Sequence, residues 1–168
     1  QSRYSRVISK SYIKSLSVNT LVELLESIPG LDVKKRGVYD ANSTLSLFAG
    51  NPNQVLILVD GLKVGNNQSV LNLLNFPISI ENIEKIEITP GTYSRIHGTD
   101  AYSGVINIIT SGDFTSNNSF HYSDYNSLEY NLSSNLMDSH SIYYESKSSD
   151  GYIDNTDYEL NVFNYKYK

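Results

Sequence analysis

The chain has 168 residues, enough for one ordinary domain or for a small domain and part of another; its composition, 39% hydrophobic and 18% charged, excludes a disordered acidic tail. The net charge is −5 at pH 7 and basic residues form no cluster, which excludes nucleic acid as a partner. There is no cysteine, so disulfides, thiolate metal sites and cysteine nucleophiles are excluded, and no apolar run is long enough for a transmembrane helix, so a membrane role would have to come through β-strands. The chain opens on Gln1 rather than on a methionine with a basic, apolar leader, which reads as a processed or trimmed product.

From the N-terminus, Ser5 to Ser9 reads as extended and Lys10 to Leu16 as one or two helical turns. A firmer helix begins at Ser17 or Asn19, either a good N-cap, and carries Leu21, Leu24, Leu25 and Ile28 at i, i+3, i+4 and i+7. Pro29-Gly30 stops it. Leu31 to Lys34 and Thr44 to Phe48 read as short strands, the second with Leu45 and Leu47 inward and Thr44 and Ser46 outward. The apolar run Val55-Leu56-Ile57-Leu58-Val59 predicts a strand buried on both faces, ending at the turn pair Asp60-Gly61. Residues 65 to 70 form a polar tip, and Leu71, Leu73, Leu74 and Phe76 return the chain to the core. Ser79 caps a single turn through Asn82; Ile83, Ile86 and Ile88 mark a strand ended by Pro90-Gly91, and Val105 to Ile109 another. A first domain is expected to close near Thr110.

Residues 111 to 118 are linker-like, and beyond them the pattern becomes alternation without a helical period. The chain holds 14 tyrosines against 5 phenylalanines and no tryptophan, and most of the tyrosines, from Tyr122 to Tyr167, fall in this last part. Tyr130 and Leu132, Ile142 and Tyr144, and Leu160 and Val162 alternate with polar partners, and farther on Asn164 and Lys166 oppose Phe163, Tyr165 and Tyr167. Four strands with turns at Asp124 to Asn126, Met137 to Ser139 and Ser148 to Asn155 fit best, as a β-meander. Standing alone in water, such a sheet would be an aggregation hazard, so the chain reads as unfinished. Alternating strands with tyrosine belts are expected of an outer-membrane barrel wall; a soluble sandwich is the other reading.

The three histidines, His97, His121 and His140, are scattered without an HExxH pattern, so no zinc site is expected. No G-x-S-x-G elbow occurs, and Gly98 to Gly104 reads as a tight turn before a buried strand, so neither an enzyme activity nor a cofactor is expected. Asp150, Asp154 and Asp157 fall in one loop, where oxygen ligands can hold calcium; their spacing lacks the EF-hand pattern, and a solvated turn on Asp150-Gly151 is the simpler reading.

Three stretches carry a family resemblance: Leu24-Leu25-Glu26-Ser27-Ile28-Pro29-Gly30-Leu31-Asp32-Val33, Val55 to Gly61, and Ile83 to Thr110 with its ending Gly104-Val105-Ile106-Asn107-Ile108-Ile109-Thr110. In order and spacing they resemble the plug of TonB-dependent receptors, particularly the cobalamin and siderophore branch, over roughly residues 5 to 113. The hairpin around Ser149 to Tyr158 resembles the opening strands of that family's barrel of about 22 strands. The resemblance implies an α/β plug of mixed sheet and short helices over 1–113, followed from 114 to 168 by the first antiparallel strands of an incomplete transmembrane barrel, so that the chain is either a fragment or a short relative. It further implies the outer membrane of a Gram-negative bacterium, with the plug inside the barrel and its N-terminus facing the periplasm. The implied activity is gated uptake of a scarce nutrient such as cobalamin or a siderophore. Implied partners are a TonB-type inner-membrane energy-coupling protein, the small-molecule nutrient, outer-membrane lipid, and a surface lipoprotein or other outer-membrane subunit. Asn51, Asn53, Asn66, Asn67 and Gln68 would then lie on apical loops that touch the ligand, where amides suit a neutral polar molecule; the other reading is ordinary turn residues.

Two departures stand out. Phe48-Ala49-Gly50 replaces the family's usual Ile-Arg-Gly, and Thr89-Pro90-Gly91 its usual Arg-Gly-Pro, so that Ala49 and Thr89 stand where the resemblance implies arginines ion-paired between plug and barrel. A TonB box is not recognisable, as a trimmed N-terminus would explain. A plug-like subunit that occludes or braces another outer-membrane complex without transport is therefore the alternative function.

Overall fold

The structure is a computed structural model that describes residues 5–18, 20–36, 42–48, 50–64, 78–91, 101–111, 116–136 and 139–167. Two compact units divide the chain, the first built from described parts of 5–36, 42–64 and 83–110, the second from 78–82 and 111–167.

In the first unit, β1 (Arg6–Ser9) runs straight into α1 (Lys10–Ser15), because the Ser9 hydroxyl accepts from Tyr12 N and caps the turn. α2 (Leu21–Glu26) is capped neither by Ser17 nor, from outside the described residues, by Asn19. Thr20 caps it, in a capping box with Glu23: Glu23 N donates to Thr20 Oγ1 at 3.1 Å and Thr20 N to Glu23 Oε2 at 3.2 Å. Two orphan amides are satisfied reciprocally there, which a lone Ser17 cap would not achieve. The expected stripe is the packed face: Leu21, Leu24, Leu25 and Ile28 are all buried.

β2 (Leu31–Arg36) and β3 (Asn42–Leu47) pair antiparallel as a two-stranded sheet. Leu45 and Leu47 point into the core as expected, but Thr44 and Ser46 are buried as well, at 7% and 6% exposure, and so is Ser43. Both faces of the hairpin are covered; Ser46 tolerates this because its hydroxyl donates to the Asp32 carboxylate at 3.3 Å.

The remaining strands form a five-stranded mixed sheet in the order β1-β6-β7-β4-β5, from β4 (Val55–Val59), β5 (Leu62–Lys63), β6 (Ile83–Pro90) and β7 (Gly104–Thr110). β4 and β7 pair parallel and the other pairs are antiparallel. The continuous apolar runs of β4 and β7 suit this place, since a central strand covered on both faces has no polar side to present. The Asp60-Gly61 turn has positive φ at both residues, 49° and 80°, the twist a tight hairpin into β5 requires. Asp60 also clamps the neighbouring strand: its carboxylate accepts from Thr110 N at 2.8 Å and Thr110 Oγ1 at 2.6 Å, while Gly61 N donates to Asn107 Oδ1 at 3.1 Å. The predicted return of the chain through residues 65 to 77 lies outside the described residues.

The second unit begins with a short 3₁₀ turn, Ile80–Asn82, closed by Asn82 N donating to Ser79 O. It continues in a four-stranded antiparallel meander of β8 (Asn117–Ser123), β9 (Ser127–Leu136), β10 (His140–Ser149) and β11 (Tyr158–Tyr167). Asn117 and Asn118, read as linker, already belong to β8, where their backbones pair with Ser133 and Leu132. The 137–138 part of the second turn lies outside the described residues.

The meander is inverted relative to a water-soluble sheet. One face carries Ser127, Ser133, Ser141, Glu145 and Ser149, all buried, with Lys147 held between Glu145 at 2.8 Å and Glu129 at 3.5 Å. The other exposes Phe120, Tyr122, Tyr130, Phe163, Tyr165 and Tyr167, several beyond 60%. This apolar belt crosses the strands obliquely. Tyr165 on β11 lies opposite Ile142, whereas Phe120 on β8 reaches Ser146 through Tyr130, four residues farther along β10. At about 3.4 Å per residue and about 4.8 Å between strands, the belt is inclined by roughly 45°.

Gly104 shows how tightly the first unit is closed: a Cβ there would lie 2.4 Å from Leu47 Cδ2 and 2.7 Å from Thr89 O. Gly104→Ala is expected to destabilise the unit by about 1–3 kcal/mol through overpacking, read as faster proteolysis between residues 42 and 110 of the intact protein. Asp60→Ala, which removes the carboxylate that accepts from the Thr110 amide and hydroxyl, is expected to cost about 1–3 kcal/mol in the same assay, whereas Asp60→Asn keeps one acceptor and should lose less.

Candidate ligand-binding face

Parallel pairing brings residues from distant parts of the chain to one end of the five-stranded sheet. Val55 lies opposite Gly104, so the residues leading into β4 and β7 meet: Ser103 N donates to Gln54 O at 2.8 Å and Ser103 Oγ to Gln54 Oε1 at 3.3 Å. The end of β6 joins them, with Gly91 N donating to Ser103 O at 3.0 Å. Gly50 lies close against this junction: a Cβ there would sit 2.4 Å from Ser103 Oγ and 3.0 Å from Leu47 O, so the Ser103 hydroxyl would have to move.

Asn51 and Asn53 lie here, both exposed, on the short 3₁₀ turn Pro52–Gln54. The Asn51 side-chain oxygen accepts from Asn53 N at 3.0 Å, and Asn51 O from Gln54 N at 2.9 Å. The turn is thus rigid, and Asn51 Nδ2 and the Asn53 amide project toward solvent as donors and acceptors. Asn66, Asn67 and Gln68 lie outside the described residues. Val64 N donates to Ile57 O, so the chain enters their segment running back along β4 toward this same end.

Three residues that sequence reasoning did not single out belong to this face: Gln54, Ser103 and Tyr102, the last 52% exposed. Their signal was present only as a tight turn before a buried strand; nothing in the spacing of 54 and 103 says that the two pair. Among the described residues of 50–54, 89–91 and 101–104 none is charged, so the face offers neutral hydrogen-bonding groups and an exposed tyrosine.

Thr89 lies near this end on β6, and its hydroxyl is 3.1 Å from Ser5 Oγ. Phe48 adopts φ 48° and lays its ring over Gly30, where a Cβ would approach Phe48 Cε1 to 2.6 Å. Ala49 lies outside the described residues.

Asp150, Asp154 and Asp157 sit in the loop between β10 and β11, where Asp150 and Asp154, but not Asp157, line an open recess of about 590 Å³ together with Tyr152 and Ile153. The Asp150 carboxylate accepts from Asn126 Nδ2 at 2.7 Å, while Asp154 and Asp157 are exposed. Among the described residues no three acidic or histidine side chains converge as a metal-holding group. The described residues at this sheet end offer amides, a hydroxyl and a phenol, groups that can bind a polar molecule by hydrogen bonds.

The model of the TonB-dependent Receptor Plug Domain family matches residues 2–105. The chain is similar to the "Vitamin B12 transporter BtuB" of Vibrio vulnificus: to that of strain CMCP6 at 33% identity over 113 residues, 67% of this chain and 18% of the relative, and to that of strain YJ016 at 31% over 153 residues, 87% and 25%. In fold it is similar to the ferric citrate transporter FecA in its unliganded form, with TM-score 0.64 and 17% identity over 99% of this chain and 29% of that one. The chain spans a quarter or less of the length of these curated relatives. The matched proteins are transporters and receptors, not enzymes.

Rigidity of the Asn51 turn is testable by itself. Asn51→Ala, which removes the acceptor for Asn53 N, is expected to cost about 1 kcal/mol and to raise amide hydrogen exchange at Asn53 and Gln54, with Asn51→Asp close to wild type.

Proposed function

Because this chain belongs to the TonB-dependent receptor plug domain family, we propose that it is the plug and opening barrel wall of an outer-membrane receptor that takes up a scarce nutrient by TonB-energised gating. Residues 1–113 form the plug and 114–168 begin the barrel of a Gram-negative outer membrane, with the N-terminus toward the periplasm. The observation that carries this reading is the inverted meander. A sheet that buries Ser127, Ser133, Ser141, Glu145 and Ser149 beside Tyr143, and half-buries Lys147 and Glu129, while exposing Phe120, Tyr122, Phe163 and Tyr167 is suited to hydrocarbon outside and a polar lumen inside. Its belt, inclined by roughly 45°, matches strands that lean at about 35–45° in a barrel wall.

The neutral amide face around Asn51 and Asn53, with Asn66, Asn67 and Gln68, is the proposed ligand contact, and Tyr102 and Ser103 belong with it. Donor-and-acceptor amides and a phenol suit a neutral polar nutrient, and the relatives named for vitamin B12 make cobalamin the first candidate. The energy-coupling partner is a TonB-type inner-membrane protein acting on the segment before β1.

A second reading has one observation in its favour. Thr89, where the family resemblance implies an arginine, is bonded to Ser5 inside the same unit, so that position is served locally. A plug-like subunit that braces another complex without transport would need no more.

Uptake separates the two. A strain lacking the gene is complemented with the intact protein and supplied with labelled cyanocobalamin, ferric citrate or a ferric siderophore. The receptor reading expects uptake of one of them that disappears when the TonB-type partner is deleted; no uptake of any of them, or uptake indifferent to that partner, would overturn it. The wall has its own test in vesicle refolding under urea. Phe163→Lys, in the apolar belt opposite Tyr144, is expected to cost about 2–4 kcal/mol, whereas His121→Lys on the polar face opposite Glu129 should change stability by less than about 0.5 kcal/mol.

A further inference from the structure

The β8–β9 turn and the β10–β11 loop come together at one end of the meander. Asp150 N donates to Tyr125 O at 3.0 Å, Asn126 Nδ2 to the Asp150 carboxylate at 2.7 Å, and the Ser127 and Ser149 hydroxyls meet at 2.9 Å. The longer loop is closed on itself: Thr156 Oγ1 donates to Ile153 O at 2.6 Å, and a Cβ at Gly151 would lie 2.1 Å from Thr156 Oγ1. The two segments therefore form one rigid tip.

On this tip the apolar groups face outward. Tyr125 and Tyr152 pack edge to face with centroids 6.3 Å apart, yet each is 57% exposed, and Ile153 beside them is 59% exposed. Apolar side chains on a loop gain nothing from water, and this loop holds them there with fixed backbone instead of folding them under. Tyr125 even keeps a left-handed backbone, φ 59°, which a bulky residue adopts rarely. Large aromatic side chains presented rigidly are the anchors of protein interfaces, because little conformational entropy is lost when they dock.

The surrounding charge specifies the partner. Across 123–127 and 148–159 the charged residues are Asp124, Asp150, Asp154, Asp157 and Glu159, with no lysine, arginine or histidine. This end of the meander thus carries as much negative charge as the whole chain's net −5. An acidic rim around an aromatic knob steers and orients a positively charged surface. We propose that the Tyr125–Tyr152–Ile153 tip is a docking surface for a basic polypeptide whose apolar recess receives the two rings. This goes beyond nutrient uptake and does not depend on it.

The test pans a phage-displayed random dodecapeptide library against the intact, detergent-solubilised protein. The expected result is a family of enriched peptides with net positive charge and an aliphatic or aromatic anchor. Their affinity should fall at least tenfold on Tyr152→Ala, at least threefold on Asp154→Asn, and further as salt is raised. Ile153→Ser, at another exposed position, guards against a folding effect of the first substitution and should also weaken binding. Failure to enrich any family, enrichment of neutral or acidic peptides, or binding that survives both Tyr152→Ala and Ile153→Ser would overturn the proposal. So would stoichiometric binding of radioactive calcium that Asp154→Asn abolishes, because the carboxylates would then serve an ion.

Discussion

The parallel pairing of β4 with β7 is the constraint on which the first unit depends. The two strands are far apart in the chain, and joining them in parallel aligns their starts and their ends at once. At the starts, Gln54 meets Ser103, which joins the Asn51 turn to the residues leading into β7. At the ends, the Asp60 carboxylate accepts both the amide and the hydroxyl of Thr110, so the chain leaves the sheet from a fixed point. One register sets both the candidate ligand face and the exit of the chain. A slip by one residue would turn every side chain of a strand to the opposite face.

The same pairing gives physical meaning to the motifs that carry the family resemblance. The aspartate and glycine after the first apolar strand and the asparagine and threonine within the second are one hydrogen-bonded assembly, with Gly61 N on Asn107 and Asp60 on Thr110. Gly104 permits Leu47 and Thr89 to close on the backbone. Each residue type answers a geometric need, which is why such a short stretch is specific.

On the receptor reading proposed above, the second unit would face a different solvent. Its buried face would be the outer face of a soluble protein, with Lys147 between two glutamates and serines in hydroxyl contact, and its exposed face would be a core. Hydrocarbon on one side and a polar lumen on the other would reverse the usual sense of burial without changing the period of two. At the loop end the belt gives way to Ser146, Ser148 and Asn161, and the sheet closes in the acidic tip that presents Tyr125 and Tyr152.

Local chemistry was legible in the sequence alone. The Leu21-Leu24-Leu25-Ile28 stripe, the buried run of β4, the Asp60-Gly61 turn and the alternation of β9 to β11 depend on neighbours a few residues away, and the chain declares them by composition and period. The cap of α2 was misplaced because Ser17, Asn19 and Thr20 are all competent caps, and only the reciprocal bond from Glu23 distinguishes Thr20. Thr44 and Ser46 read as outward because polar residues alternate with leucines; only the packing of both faces of the hairpin decided otherwise. The pairing of Gln54 with Ser103 and the meeting of Tyr125 with Tyr152 were likewise decided by tertiary structure. Each joins residues separated by a long stretch of chain, and such contacts follow from strand order and register, which no local pattern encodes.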